Sequence, residues 1–92
     1  MERAQPSTNV GALLQRGAQL NARGLLSEAY AAYIAALEQA PQDARVQARV
    51  GDFLLARGEL AEANNLYSMA ASQGDIGGLC GLVEVCERRG KL

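Results

Sequence analysis

The 92-residue chain contains no histidine. Histidine is the most frequent general base, a common metal ligand and the side chain that changes charge near neutral pH, so its absence removes the usual basis of three kinds of chemistry. Neither Cys80 nor Cys86 has a candidate partner base, and their six-residue spacing does not match the CxxC spacing of metal and redox sites. We therefore expect no catalytic site, cofactor or metal, and we expect both cysteines to be small buried residues.

The chain also lacks an excess of either charge and any long hydrophobic run. Nine basic and ten acidic residues give a formal net charge of −1, which offers no electrostatic reason to expect binding to nucleic acid or to an anionic membrane. The N-terminus shows no signal peptide, and no later segment is apolar over a membrane-spanning length. We expect a cytoplasmic protein that does not enter a membrane.

Aromatic residues and prolines are scarce. Three tyrosines, one phenylalanine and no tryptophan are present, and the two prolines, Pro6 and Pro41, lie outside the strongly periodic stretches. Alanine and leucine dominate instead, and both favour helices. The composition predicts an all-α protein whose helices approach closely through small residues.

The sequence repeats itself at a distance of 34 residues. The identities span two predicted helices and the turn between them, which chance alignment of alanine-rich sequence does not produce. The identical pairs are Gly17/Gly51, Leu20/Leu54, Ala22/Ala56, Arg23/Arg57, Gly24/Gly58, Leu26/Leu60, Glu28/Glu62, Ala29/Ala63, Tyr33/Tyr67, Ala36/Ala70 and Gln39/Gln73. A fixed period of this length is typical of a helical solenoid.

Each copy has the sequence signals of helix, tight turn, helix. We expect helices over residues 10–23, 28–39, 44–57 and 61–74, ended by Gly24 and Gly58 in the first two turns. Ser27 and Asp43 are the predicted N-caps, and Pro41 closes the first unit. The cluster GDIGG at residues 74–78 lacks the spacing of a phosphate-binding loop and follows a helix, so we interpret it as a turn between repeats.

The helix-to-helix contact inside the first copy is also predictable. Gly17, Ala29 and Ala36 are small where the two helices must approach closely. Leu20 and Tyr33 are expected to fill the space between these close contacts.

A third copy begins and does not finish. Arg89 and Gly90 repeat Arg57 and Gly58 at an offset of 32, which we attribute to two residues lost from the connecting loop. The new helix has an apolar side with no partner helix to cover it, at Leu79, Leu82, Val83 and Cys86. We expect either that the 92 residues are a fragment excised from a longer protein, which we favour, or that a second copy of the chain covers this side.

These residues resemble the tetratricopeptide repeat family. The small, aliphatic, aromatic and proline positions of its 34-residue pattern are met six times in the first copy and five times in the second, where Asp75 replaces the closing proline. The matching residues are Gly17, Leu20, Ala29, Tyr33, Ala36 and Pro41, then Gly51, Leu54, Ala63, Tyr67 and Ala70. The family's early tryptophan is Leu13 here and Gln47 in the second copy. The end of the second copy is also similar to Sel1-like repeats.

The resemblance implies a right-handed solenoid of helical hairpins with about two and a half repeats and five helices. It divides the chain into a tail at residues 1–9, repeats at 10–43 and 44–77, and the first helix of an incomplete repeat at 78–92. It also implies that the first helix of each repeat lines a groove for a partner. The groove residues carried over by position are Leu14, Gln15, Ala18 and Asn21, with Arg45, Ala48, Arg49, Asp52 and Leu55.

The sequence leaves alternatives open at two arginines of this implied groove and at two residues of the second helix, outside the groove. Arg45 and Arg49 lie one helical turn apart and are either a basic spot for a carboxylate or ordinary solvated charges. Leu14 and Ala18 occupy the places of the lysine and asparagine that the family's carboxylate clamp needs, so that specific function is disfavoured. Tyr30 and Ile34 either contact a partner on the convex side of the repeat or pack over a neighbouring element of the chain.

The predicted function is that of a non-catalytic interaction or scaffold module that binds a partner peptide or protein through the groove. One alternative is self-association through the last helix, which would give a homodimer. A second is an N-terminal helper domain of a larger enzyme whose chemistry lies beyond residue 92. RNA binding, as in pentatricopeptide repeats of similar period, is disfavoured by the nearly neutral charge.

Overall fold

The computed structural model describes residues 9–90, which form five α-helices and no β-strand. The helices are α1 (Val10–Ala22), α2 (Leu26–Gln39), α3 (Ala44–Ala56), α4 (Leu60–Ser72) and α5 (Ile76–Arg89). Helices α1 and α2 pack as a hairpin, as do α3 with α4 and α4 with α5, which confirms the all-α prediction with five helices. None of the described helices combines the length and the apolar character needed to cross a membrane. Most of the predicted tail, residues 1–8, lies outside the described part of the chain.

The described residues divide into two compact units, the first ending at Pro41 and the second beginning at Gln42. The first unit contains the hairpin of α1 and α2. The second contains α3, α4 and α5, in which α4 packs against both of its neighbours and α3 also contacts α5. Because both hairpins of the second unit reverse the chain, α3 and α5 run in the same direction.

Three of the helices, α1, α3 and α4, end in the same type of turn. Each is followed by a glycine with a left-handed backbone, where any other residue would be strained: φ is +82° at Gly24, +86° at Gly58 and +86° at Gly74. After α1, the amide of Leu25 donates to the carbonyl of Leu20 at 2.9 Å and the amide of Gly24 donates to Asn21 at 3.0 Å. These two bonds are a Schellman motif, which satisfies the last carbonyls of the helix. The predicted stops at Gly24 and Gly58 are confirmed.

Helix starts follow the prediction at one position and depart from it at another. Asp43 caps α3 as predicted, because its carboxylate accepts hydrogen bonds from the backbone amides two and three residues later, at 2.9 and 3.3 Å. The prediction for Ser27 is wrong, since α2 already begins at Leu26 and Leu25 is its N-cap without a side-chain bond. The compact turn after α1 ends at Leu25, so the chain enters α2 before it reaches the serine.

The interpretation of residues 74–78 as a turn is correct only for its first two residues. Gly74 makes the turn, and Asp75 caps α5 by accepting a hydrogen bond from the amide of Gly78 at 2.8 Å. Ile76, Gly77 and Gly78 therefore lie in the first turn of α5. The capping bond of Asp75 starts the helix in spite of the low helix propensity of the two glycines.

The shortened offset of the last helix has two sources. The prediction placed both missing residues in the connecting loop. In the structure α4 has 13 residues where α2 has 14, and residues 73–75 connect α4 to α5 where residues 40–43 connect α2 to α3. One residue is therefore missing from the helix and one from the loop.

The core of the first unit has the predicted contacts. A Cβ atom placed on Gly17 would lie 3.0 Å from the ring of Tyr33, and Ala29 and Ala36 are completely buried. Leu20 is buried as well. Close approach at Gly17, with Tyr33 filling the adjacent space, holds α1 against α2.

The second unit buries one amide side chain that the sequence did not mark. Gln47 is fully buried in α3. Gln73 Nε2 donates a 3.1 Å hydrogen bond to its Oε1 from the end of α4. This bond supplies a polar partner in the interior, which a buried amide requires.

Candidate functional site

A pocket of about 300 Å³ lies between α3 and α5 in the second unit. Its lining combines two carboxylates, a tyrosine, a leucine, a thiol and two glycines. These residues are Asp52 and Leu55 from α3, Tyr67 from α4, and Gly77, Cys80, Gly81 and Glu84 from α5. We call it the α3/α5 pocket.

Tyr67 contributes its fully buried ring to the pocket. A Cβ atom added to Gly51 would lie 2.9 Å from this ring, and one added to Gly81 would overlap it outright. The ring therefore fits between α3 and α5 only because both positions lack a side chain. Gly51 belongs to the predicted repeat, whereas no repeated feature of the sequence predicts a role for Gly81. The pair Gly78 and Gly81, one helical turn apart, is the signal that could have revealed this close approach.

The hydroxyl of Tyr67 donates a hydrogen bond of 2.5 Å to Oδ1 of Asp52. Burial raises the pKa of Tyr67 well above its ordinary value of 10.0, and the bond to Asp52 and the negative charge of that carboxylate raise it further. The phenol therefore stays protonated at neutral pH and remains a donor. As a result, the Asp52 carboxylate is oriented from inside the unit.

The second carboxylate of the pocket comes from α5. Glu84 forms an ion pair with Arg88, one turn later, in which Nε and Oε2 are 3.4 Å apart and both side chains are about half exposed. Arg88 also donates from Nη1 to the backbone carbonyl of Leu55 at 3.3 Å. This bond joins the last turn of α5 to the last turn of α3.

The predicted groove residues of the second unit differ in exposure. Arg45, Arg49 and Asp52 are exposed along α3, whereas Ala48 and Leu55 are each 8% exposed. Ala48 packs toward α5, since its Cβ lies 3.6 Å from the position that a Cβ of Gly77 would occupy. Of the predicted set, Asp52 and Leu55 line the α3/α5 pocket.

The predicted groove residues of the first unit lie on α1. Gln15, Ala18 and Asn21 are exposed, and Leu14 is buried in the hairpin. Leu14 therefore serves the core of the first unit, and the other three contribute surface.

The outer side of α5 carries an apolar stripe. Leu79 is 50% exposed and Val83 is 58% exposed, as expected for a side without a partner helix. Ile76, 73% exposed, extends the stripe by one turn and was missed because residues 74–78 were interpreted as a turn. Leu82 is half-buried and lines a separate pocket of about 350 Å³ with Asn64, Val85, Cys86, Arg89 and Gly90.

Both cysteines are exposed and free, so the expectation that they are buried is wrong. The buried side of α5 consists of Gly78, Gly81 and Val85, which face the rest of the second unit. Cys80 lies to one side of this strip, at the α3/α5 pocket, and Cys86 to the other. Both thiols are therefore accessible to reagents.

No protein-family model matches this chain, and no curated protein matches it significantly. Within residues 9–90, no group of three or more cysteine, aspartate or glutamate side chains is placed to hold a metal ion. The functional interpretation therefore depends on the repeat pattern of the sequence and on the geometry of the α3/α5 pocket.

Proposed function

We propose that the chain is a non-catalytic protein–protein interaction module of the tetratricopeptide type. It binds an extended segment of a partner protein along the surface formed by α3 and α5. The observation that carries this proposal is the α3/α5 pocket itself. It lies between two helices of equivalent position in successive repeats, where the resemblance places a partner groove, and predicted residues Asp52 and Leu55 line it.

The size of the pocket favours a peptide side chain over a separate small molecule. Its volume of about 300 Å³ is at the lower limit of small-molecule sites. A side chain can fill such a pocket while the rest of the peptide lies along the neighbouring helix surface.

Arg45 and Arg49 extend the proposed surface toward the start of α3. Both are exposed and they lie one turn apart on the same side of the helix. In this proposal they contact an acidic residue or a carboxylate of the partner segment, since guanidinium groups bind carboxylates with favourable geometry. A cytoplasmic location belongs to the same proposal, and two accessible free thiols are compatible with a reducing compartment.

The test begins with selection of peptides from a random displayed library on the immobilised chain. Binding of a selected peptide is then measured by calorimetry with the Arg45→Glu/Arg49→Glu variant. Because two attractive charges become repulsive, we expect affinity to fall by about 10-fold or more. The matched control is Arg16→Glu/Arg23→Glu, which changes the net charge equally at exposed positions of the first unit.

Two results would count against the proposal. Failure to select any binding peptide contradicts a peptide-binding function. If the parent and the Arg45→Glu/Arg49→Glu variant bind the peptide with equal affinity, these two arginines are not part of the partner-binding surface.

Self-association is a second candidate, favoured by the apolar stripe of Ile76, Leu79 and Val83 on one side of α5. Exposed apolar patches of this kind mark interaction surfaces. Light scattering at increasing concentration should give a dimer mass that returns to the monomer mass in Leu79→Glu. A strict monomer at all concentrations excludes this candidate. The third hypothesis, a helper domain of a larger enzyme, is tested by the reading frame after Leu92.

A further inference from the structure

We infer that the α3/α5 pocket binds a cationic side chain, lysine or arginine, of the partner segment. This inference rests on the proposed function and adds the chemistry that the pocket selects. It follows from the arrangement of Asp52, Glu84 and the uncharged surface between them.

The two carboxylates approach the pocket from different helices. Asp52 stands on α3 and Glu84 on α5, and both line the cavity. A cation placed between them interacts with two negative charges at once, and such charge-assisted hydrogen bonds are stronger than neutral ones.

Asp52 is held in position for such a ligand. The Tyr67 hydroxyl donates to Oδ1, which fixes the carboxylate and uses one of its oxygens. Within residues 9–90, Oδ2 of Asp52 accepts no hydrogen bond, so it is available to an incoming ammonium or guanidinium group. Orientation by a buried donor lowers the entropy that this carboxylate loses when it binds.

The arginines near the pocket do not neutralise both carboxylates. Arg88 pairs with Glu84 at 3.4 Å and is also bound to the carbonyl of Leu55, but it is not a lining residue. In the described part of the chain, Arg49 makes no ion pair with Asp52 within 4.0 Å, although the two lie one turn apart. The Asp52 charge therefore remains available to a ligand.

The rest of the lining suits the aliphatic part of a long basic side chain. Leu55 provides apolar surface, and Gly77 and Cys80 are exposed lining residues without a charge. Lysine and arginine characteristically pack their methylene groups on apolar surface while the charged end reaches polar groups.

Other ligand chemistries fit less well. A carboxylate or phosphate would be repelled by Asp52 and Glu84. A purely apolar side chain would cover these carboxylates without replacing the hydrogen bonds that they make with water. A metal ion would have fewer than three protein carboxylate or thiolate ligands in a suitable group within the described residues.

The experiment uses the intact chain and peptides selected from a random displayed library. We expect lysine or arginine to be enriched at one peptide position. Calorimetry with Asp52→Asn should then show affinity lower by about 10-fold, the loss typical of one hydrogen bond to a charged group. Asparagine keeps the acceptor for Tyr67, so the variant removes charge and preserves the internal bond. Glu62→Gln, which removes an equivalent exposed charge from α4, is the matched control.

Two further measurements locate the cationic residue in the pocket. Replacing that residue of the peptide with norleucine should weaken binding to the parent and cause little further loss in Asp52→Asn, as expected for directly coupled groups. In a Cys86→Ser background the remaining thiol, Cys80, lines the pocket. The peptide should slow its modification by a maleimide, whereas in Cys80→Ser the rate at Cys86 should be unaffected.

The outcomes separate this inference from the proposed function. Peptides that protect Cys80 but show no preference for lysine or arginine overturn the inference and leave the peptide-binding function intact. Unchanged peptide affinity in both Asp52→Asn and Glu84→Gln also overturns the inference and leaves the peptide-binding function intact. Absence of any selected peptide overturns both.

Discussion

The hydroxyl of Tyr67 and the carboxylate of Asp52, 15 residues apart in sequence, are joined by a 2.5 Å hydrogen bond. Tyr67 is fully buried on α4, whereas Asp52 is an exposed residue of α3. The bond therefore connects the interior of the second unit to the wall of the α3/α5 pocket. A substitution at either residue affects both stability and the pocket, so the two effects must be separated by the choice of variant.

Tyr67 gives a prediction for alkaline pH. The pKa of Tyr67 is raised in the folded chain. The protonated phenol therefore contributes fully to the free energy of unfolding below the unfolded pKa of about 10, and this contribution is lost as the pH rises above that value. The free energy of unfolding should fall with pH in this range because the unfolded chain releases the phenolic proton first. Tyr67→Phe should flatten this decline in urea titrations, whereas Tyr30→Phe, at an exposed position, should retain it. Equal slopes for the parent and Tyr67→Phe would contradict this role.

Gly81 gives a prediction for the packing of α5. Alanine at this position would place a Cβ in the ring of Tyr67, so Gly81→Ala should lower the free energy of unfolding by about 1–3 kcal/mol through overpacking. Gly11→Ala is the control, since a Cβ there meets only Asn9 Oδ1 at 3.5 Å. That variant should be neutral or more stable by up to about 1 kcal/mol, because alanine favours a helix. Chemical denaturation followed by circular dichroism measures both, and a neutral Gly81→Ala would refute the close approach.

Ala29 gives a prediction for the first unit. It is completely buried between α1 and α2, so Ala29→Leu should cost about 1–3 kcal/mol. Ala31→Leu makes the same change at an exposed position of the same helix and should have little effect. If the thermal melt of Ala29→Leu matched that of the parent, the assigned contact between α1 and α2 would be wrong.

Asp43 and Ser27 test the observed helix starts. Asp43→Ala removes the acceptor of two backbone amides and should destabilise the chain by about 1 kcal/mol. Ser27→Ala should have no such cost, because Ser27 lies inside α2 and is not its N-cap. Chemical denaturation of the two variants compares them directly, and a larger loss for Ser27→Ala would reverse the assignment.

The repeat made much of the fold predictable because it records contacts that recur. Gly17 and Tyr33 predict a close helix contact that the structure contains, and Gly24 and Gly58 mark turns that only glycine adopts without strain. The error at Ser27 arose because a good capping residue gives no information on how compact the preceding turn is. Helix ends depend on backbone bonds such as that from Leu25 to Leu20 as well as on side-chain type.

The pocket was less predictable because it depends on positions where the copies differ. Asp52 has Ala18 as its counterpart, so no repeated feature indicated its bond to Tyr67. Gly81 lies in a copy shifted out of the regular period, and its contact requires the observed placement of α5. The prediction of buried cysteines failed for a different reason, since the average preference of cysteine for burial does not specify which side of α5 faces the core.

The ring of Tyr67 connects three helices, since it extends from α4 and packs against Gly51 of α3 and Gly81 of α5. Detachment of α5 would uncover this ring and also break the bond from Arg88 to Leu55. Local opening at the end of the second unit is therefore coupled to the loosening of its centre. Amide hydrogen exchange should accordingly show α3, α4 and α5 opening as one cooperative folding unit, with terminal fraying limited to the last turn of α5.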